Sequence, residues 1–485
     1  MRGFSGDAAL ICCRGESRRK LAGSQALGNG AVASTGASSV EGDFVAIHAR
    51  VLIVAKDDAI AGPLAEGLDR LGWRTITARG PYAATTALGD MQIEAAIIDA
   101  TASVEEAVIL AKRLRASCAP RRLPIIAVGD FPEPPVGGPF DLTIAPPLHP
   151  AQAALRLESL TRMTIAEEEY ELRLETFAEH GRRLDLPQEA EGPFRILAVG
   201  EPAPQFLALS NALAASGADA TGAFTAYTAF DYLHERAFDA VVLWAGANQA
   251  EALSIAAGMR RNTRLYHIPA MLYLQSPAEI GLAEAFHRGV SDLASPETPP
   301  AETARRVIEL ARAYRRQTAI RQALEKARSS GLMDVATGLF TRDLFAAHLA
   351  RLVQSARLRN RPLSLCVLRI AERPETTVAR AGGWLDRAIP QIGSMLGRLV
   401  RAEDTVARLG PEVFALALPS TPQSAARAAA ERIAAVIGCT AFEAGEKRPA
   451  FVVDFDIGVA EVEPGEPAAH ALERAASRAQ QLKAS

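Results

Sequence analysis

The stretch RAEDTVARLGPEVFALALP, Arg401 to Pro419, decides how the C-terminal part of the chain is read. TVARL and VFALALP are apolar, β-forming runs, and the Gly410-Pro411 dipeptide between them is a turn signal. The pattern predicts an antiparallel hairpin turning at Gly410-Pro411. Immediately before it stand Arg401 and Asp404, an Arg-x-x-Asp pair. At spacing i and i+3 near a helix end, both side chains share one face. On its own this pair also fits a solvated ion pair worth a few tenths of a kcal/mol.

Working outward, LSLCVLRI (363–370) reads as the strand before the hairpin, and a long helix, Ala301–Ser330, leads into this region. Further upstream the pattern is different. RVLIVA, EAAIIDA, LPIIAVG and DLTIAPP are short Val/Ile runs separated by amphipathic helical stretches, the signature of a parallel α/β sheet. The same series recurs roughly 145 residues later as FRILAVG, FDAVVLW, IPAMLYL and VSDLASP. The first part of the chain therefore holds two copies of one doubly wound unit, joined by a charged helix through AEEEYELRLETF.

The 485 residues exceed what one core serves and suggest about three domains. A net charge of −3 gives no global field toward nucleic acid or a membrane surface. Five cysteines without paired spacing fit a reducing cytosol rather than a disulfide framework. No apolar run approaches the ~20 residues of a membrane helix. AALICC (Ala8–Cys13) is too short for a secretory segment. Residues 1–47 are rich in Gly, Ser and Ala and are expected to be disordered.

Order and spacing in the two repeated units resemble the receiver domains of two-component signalling. Receivers hold Mg²⁺ on an acidic pair after the first strand and accept phosphate on an Asp ending the third. A Ser/Thr and a Lys steady the phosphate. In the first unit Asp99 stands at the acceptor position, with Ala55 and Lys56, Gly129 and Pro146 at the others. Asp57 and Asp58, one or two residues late, could partly supply the metal site. In the second unit Gly200 and Glu201, Trp244, Leu274 and Ser295 replace the whole set, and tryptophan cannot carry a phosphate. Asp99 is thus expected to be vestigial, and both units to serve in dimerisation or docking.

DVATGLFTRDLF (Asp334–Phe345), RPLSLCVLRI and RLGPEVFALALPST resemble, in that order, the opening motif, first strand and signature hairpin of GGDEF domains, the diguanylate cyclases. Those enzymes join two GTP molecules around two metal ions held by carboxylates, because phosphoryl transfer relies on charge neutralisation. The first metal carboxylate maps onto Arg369. In the signature, Gly410 and Glu412 persist, while Pro411 replaces a glycine and Val413 the second acid. A phosphate-contacting Lys maps to Pro374 and a C-terminal one to Gln480. The guanine-reading Asn maps to Thr377, and its partner survives at Asp386. The resemblance therefore implies a degenerate domain that is not an enzyme, with no catalytic residues, no metal and no cofactor.

In the same family Arg-x-x-Asp is the inhibitory or I-site, which binds cyclic di-GMP with a third arginine from the next helix. Arg401, Asp404 and Arg432 match it in register. Arginine forks pair with guanine O6/N7 or with phosphate, and a carboxylate accepts from guanine N1–H and N2–H.

The expected fold class is α/β, with two flavodoxin-like doubly wound receiver domains followed by a GGDEF (nucleotidyl-cyclase-like) α/β domain. The expected boundaries are a tail 1–47, receiver-like units 48–165 and 194–316, helical linkers 166–193 and 317–333, and the degenerate GGDEF domain 334–485. The arrangement resembles PopA-type members, which share the PleD-like architecture. That resemblance implies a cytoplasmic cyclic di-GMP effector located at a cell pole. It implies homodimerisation through the receiver units and recruitment of adaptor or protease-substrate proteins for regulated, cell-cycle proteolysis. Neither nucleic acid nor a membrane span is expected. The competing readings are an active diguanylate cyclase and a ligand-independent scaffold.

Overall fold

The structure is a computed structural model. It describes residues 49–481 except 130, 132–137, 145, 147, 186–189, 246–248, 263, 266, 275–281, 327–330 and 446–447. The tail 1–47 expected to be disordered lies outside the described residues, as does the end of the helix expected to reach Ser330.

The first sheet contains β1 (Arg50–Val54), β2 (Arg74–Ala78), β3 (Ala95–Asp99), β4 (Ile125–Val128) and β5 (Leu142–Ile144), all parallel in the order β2-β1-β3-β4-β5. Its helices are α1 (Asp58–Arg70), α2 (Pro81–Asp90), α3 (Val104–Cys118) and α4 (Pro150–Glu179). Strand runs such as VLIV in β1 are continuously apolar because helices cover both faces. Side-chain caps fix the helix starts: Asp57 accepts from Ala59 N–H and Ser103 from Glu106 N–H.

The second sheet repeats the plan. It comprises β6 (Phe194–Val199), β7 (Ala218–Ala223), β8 (Ala240–Ala245), β9 (Ala270–Leu274) and β10 (Asp292–Ala294), parallel in the order β10-β9-β8-β6-β7. Read within each unit, both sheets have the order 2-1-3-4-5. The helices are α5 (Pro204–Ala215), α6 (Ala226–Glu235), α7 (Gln249–Arg261), α8 (Leu282–His287) and α9 (Pro300–Lys326).

Two of the expected boundaries fall inside single helices. α4 runs unbroken past residue 165, and α9 past 316. Neither sequence carries a breaker there, and both helices continue because they stay packed: Ile165, Ala166 and Tyr170 are buried on α4, Ala319 and Ile320 on α9.

The last region has α10 (Arg342–Arg359), β11 (Leu363–Ile370), α11 (Pro374–Ala381), α12 (Trp384–Leu399), β12 (Thr405–Gly410), β13 (Val413–Pro419), α13 (Gln423–Gly438), β14 (Phe455–Glu461) and α14 (Ala468–Gln481). Its sheet is antiparallel, in the order β12-β13-β11-β14. One core packs α12 and α13 against the sheet; the other packs α10 and α14 on its opposite face, with Phe177 of α4 inserted. The hairpin is present, but its turn is Pro411-Glu412 rather than Gly410-Pro411. Gly410 stays paired with Val413 across the ladder, with a bulge beside it.

Ion pairs tie α4 to all three sheets. Arg361, just before β11, reaches Glu94 at 2.9 Å and Glu168 at 2.6 Å. Asp292 of β10 takes Arg156 at 2.7 Å and a fork from Arg306 of α9. These carboxylates are buried, so leaving one without its arginine would cost several kcal/mol.

Candidate functional site

Arg401 and Asp404 do not lie on a helix face. α12 stops at Leu399 and Val400 is extended, so Arg401–Asp404 form a turn into β12. Arg401 N–H donates to Asp404 Oδ2 at 2.9 Å, and Asp404 N–H to the Arg401 carbonyl at 3.3 Å. Aspartate bonding back to nearby backbone competes with helix, which is why the helix ends here.

The other oxygen, Asp404 Oδ1, is buried and without a hydrogen-bond partner among the described residues. Burial, then the neighbouring Glu403 carboxylate, push the Asp404 pKa up to about 7, against the opposing charges of Arg401 and Arg173. The Arg401 and Arg432 guanidinia have no hydrogen-bond or ion-pair partner among the described residues. Arg432 is exposed on α13, whose preceding turn carries the Arg427–Glu431 pair. The adjoining residues Val400 and Ile433 lie in one core cluster, so the turn and α13 occupy the same face of the sheet.

Sequence reading missed what holds this turn from behind. Arg173 of α4 is buried, and its Nη2 donates to the Asp404 carbonyl at 3.0 Å and to Thr405 Oγ1 at 3.1 Å. Its Nε donates to Glu169 Oε1 at 2.5 Å. That oxygen also accepts from Thr405 Oγ1 at 3.0 Å and lies 2.9 Å from His348 Nε2. His348 Nδ1 is 3.0 Å from Thr176 Oγ1. Ile165, Glu169, Arg173 and Thr176 recur at helical spacing on one face of α4. That periodicity was the available signal, hidden because a Glu-rich helix reads as solvated.

Of the residues mapped onto the cyclase centre, Arg369, Pro411, Glu412 and Val413 line a cleft of about 220 Å³, with Arg380 and Asp456 also at its walls. Arg369 faces Val413 and Asp456 on the neighbouring strands, and its buried Nε lacks a hydrogen-bond partner among the described residues. Glu412, the remaining signature acid, is clasped by Arg380 through two bonds of 2.7 and 2.6 Å. Arg408 donates to the Gly410 and Pro411 carbonyls at 3.2 and 3.1 Å and ties them to Asp334. A cation, a valine and a neutralised glutamate do not suit a divalent metal or a triphosphate, so no metal-assisted step is derived for this cleft. Pro374 begins α11, and Thr377 on α11 and Asp386 on α12 are exposed; Gln480 is exposed on α14.

In the first sheet Asp99 Oδ1 accepts from Thr101 N–H at 3.0 Å and Thr101 Oγ1 at 2.7 Å. Asp57 caps α1 and Asp58 pairs with Arg79. Lys56 pairs with Glu106 at 3.0 Å. In the second sheet Trp244 is buried, stacked on Tyr273 at 4.3 Å and edge-on to Phe206 at 5.8 Å. Gly200, at φ +147°, backs directly onto it: an added Cβ would meet Trp244 Cβ at 2.3 Å. Among the described residues no cluster of three or more His, Cys, Asp or Glu could hold a metal ion. No helix among them is long and apolar enough to cross a membrane.

Residues 331–485 match the family described as Diguanylate cyclase, GGDEF domain, and form a GGDEF domain. No curated protein matches the chain. Among solved structures, the chain is similar to the GGDEF domain of DgcB from Caulobacter crescentus in complex with c-di-GMP (24% identity, 32% of this chain, 88% of that chain, TM-score 0.30). It is also similar to the diguanylate cyclase SiaD in complex with its activator SiaC from Pseudomonas aeruginosa (24% identity, 38% and 70%, TM-score 0.30). A third similar structure is described as that of a "putative response regulator" from Chloroflexus aurantiacus (16% identity, 25% and 98%, TM-score 0.24).

Proposed function

We propose that this chain is a reader of cyclic di-GMP, not a maker of it. The dinucleotide binds at Arg401, Asp404 and Arg432. The observation that carries the reading is the half-satisfied turn: one Asp404 oxygen is fixed by the Arg401 amide, while the other is buried and without a partner beside a guanidinium left free of internal pairing. An unpaired buried carboxylate oxygen costs stability in the empty protein, and guanine N–H donors recover that cost on binding. The cleft where synthesis would occur supports the negative half. Arg369 stands where a metal carboxylate is needed, and Glu412 is already neutralised by Arg380.

The 2-1-3-4-5 order of the two parallel sheets is that of flavodoxin-like folds. It supports reading them as receiver-like units whose phosphorylation chemistry is gone, since Trp244 fills the acceptor position of the second and Asp99 closes a turn in the first. In this PopA-type reading the units dimerise and dock protein partners. Ligand binding shifts the domain toward a recruiting arrangement in the cytoplasm, at a cell pole, for regulated proteolysis.

Calorimetry with cyclic di-GMP on the wild-type protein and Arg401→Ala tests the site, and equal affinity for both removes it. Incubation with GTP and Mg²⁺ followed by product chromatography tests the rest: accumulation of cyclic di-GMP would restore the cyclase reading.

A further inference from the structure

We infer that Arg173 of α4 is a positioning residue for the Arg-x-x-Asp turn, so that a helix rooted in the first sheet's helical layer sets the affinity of the dinucleotide site. The inference rests on the ligand reading above, and adds to it a residue more than two hundred positions away in sequence.

A guanidinium as buried as that of Arg173 is costly unless its donors are used. Here they are used on the turn's backbone and hydroxyl, at the Asp404 carbonyl and Thr405 Oγ1, and not on the Asp404 carboxylate. Glu169 closes the ring by accepting from both Arg173 Nε and Thr405 Oγ1. The main chain at Asp404 is thereby fixed from behind while its Oδ1 is left without a hydrogen-bond partner among the described residues. His348 and Arg351 of α10 brace the same helix through Glu169 and Thr176. A closed, buried ring of this kind rigidifies its members more than separate bonds do. Without Arg173 the ligand must itself order the turn, which weakens binding by about tenfold. By linkage, ligand occupancy must alter the stability of α4 to the same degree.

The test uses the full-length protein, with cyclic di-GMP as titrant and hydrogen exchange of the 401–405 amides as a second readout. Arg173→Met is expected to bind about tenfold more weakly and to exchange the turn amides faster, with the sheet unchanged. Arg173→Lys, which keeps a donor, is expected to recover part of both. Thr405→Val removes only the hydroxyl and serves if Arg173→Met fails to fold; it too should weaken binding and loosen the turn. Folded variants with wild-type affinity and wild-type exchange overturn the inference. If the wild-type protein itself fails to bind, the ligand reading falls, and the exchange data alone decide whether Arg173 positions the turn.

Discussion

The Arg401 amide holds Asp404 Oδ2 at 2.9 Å, while Asp404 Oδ1, on the same carboxylate, is buried with no partner among the described residues. The turn is therefore preorganised and incomplete at once.

Asp404→Asn separates the two roles. Burial, then Glu403, raise the Asp404 pKa to about 7, with Arg401 and Arg173 opposing; Cys366 on β11 faces the same carboxylate. A carboxyl whose folded pKa lies above its unfolded value, near 3.9, contributes stability below that value and loses it as pH rises to the folded pKa. Wild-type stability should fall between about pH 4 and 7 relative to Asp404→Asn. At pH 8 the variant should be more stable by on the order of 1–2 kcal/mol, yet bind no cyclic di-GMP. Thermal melts at pH 4 and pH 8 check the crossover.

Arg401→Ala and Arg432→Ala should each lower cyclic di-GMP affinity by about 10- to 100-fold, the range for charge-assisted hydrogen bonds. Neither guanidinium has an internal hydrogen-bond partner among the described residues, so stability should stay within about 0.5 kcal/mol of wild type. Paired calorimetry and urea titrations read both quantities.

Trp244→Ala should destabilise the second sheet by about 3–5 kcal/mol, because it empties the space shared with Tyr273 and Phe206. Urea denaturation measures the loss. A near-neutral result would mean that the ring is not a core element.

His348 adds an acid limb. Burial lowers its pKa, outweighing the Glu169 hydrogen bond that raises it; Arg173 and Arg351 face it as well. A histidine with a depressed folded pKa loses stability as pH falls below its unfolded value near 6.5, by up to about 1.4 kcal/mol per pH unit. His348→Gln should flatten that limb below about pH 6.5, as thermal midpoints will show.

The three sheets and the hairpin were legible because each rests on local pattern. RVLIVA and FRILAVG announce buried parallel strands, and the apolar runs flanking Gly410-Pro411 announce the ladder. The exact turn was not, since the bulge beside Gly410 depends on pairing with Val413. Arg401, Asp404 and Arg432 are picked out by their register with the GGDEF family's motif, whereas the turn from Arg401 to Asp404, after α12 ends at Leu399, is closed by a side-chain-to-backbone bond. The clasp of Glu412 by Arg380 and the support from Arg173 are tertiary facts, invisible along the chain.

The unbroken run of α4 from Pro150 to Glu179 makes angular phase a property of the whole molecule. Each inserted residue turns everything beyond it by about 100°. One extra residue between Gln152 and Glu168 would swing Arg173 away from Thr405 and Glu168 away from Arg361, while leaving every local sequence intact. Only insertions near whole multiples of the helical repeat, such as about 7 or 11 residues, keep both contacts facing their partners. Length change along this rod is quantised by geometry.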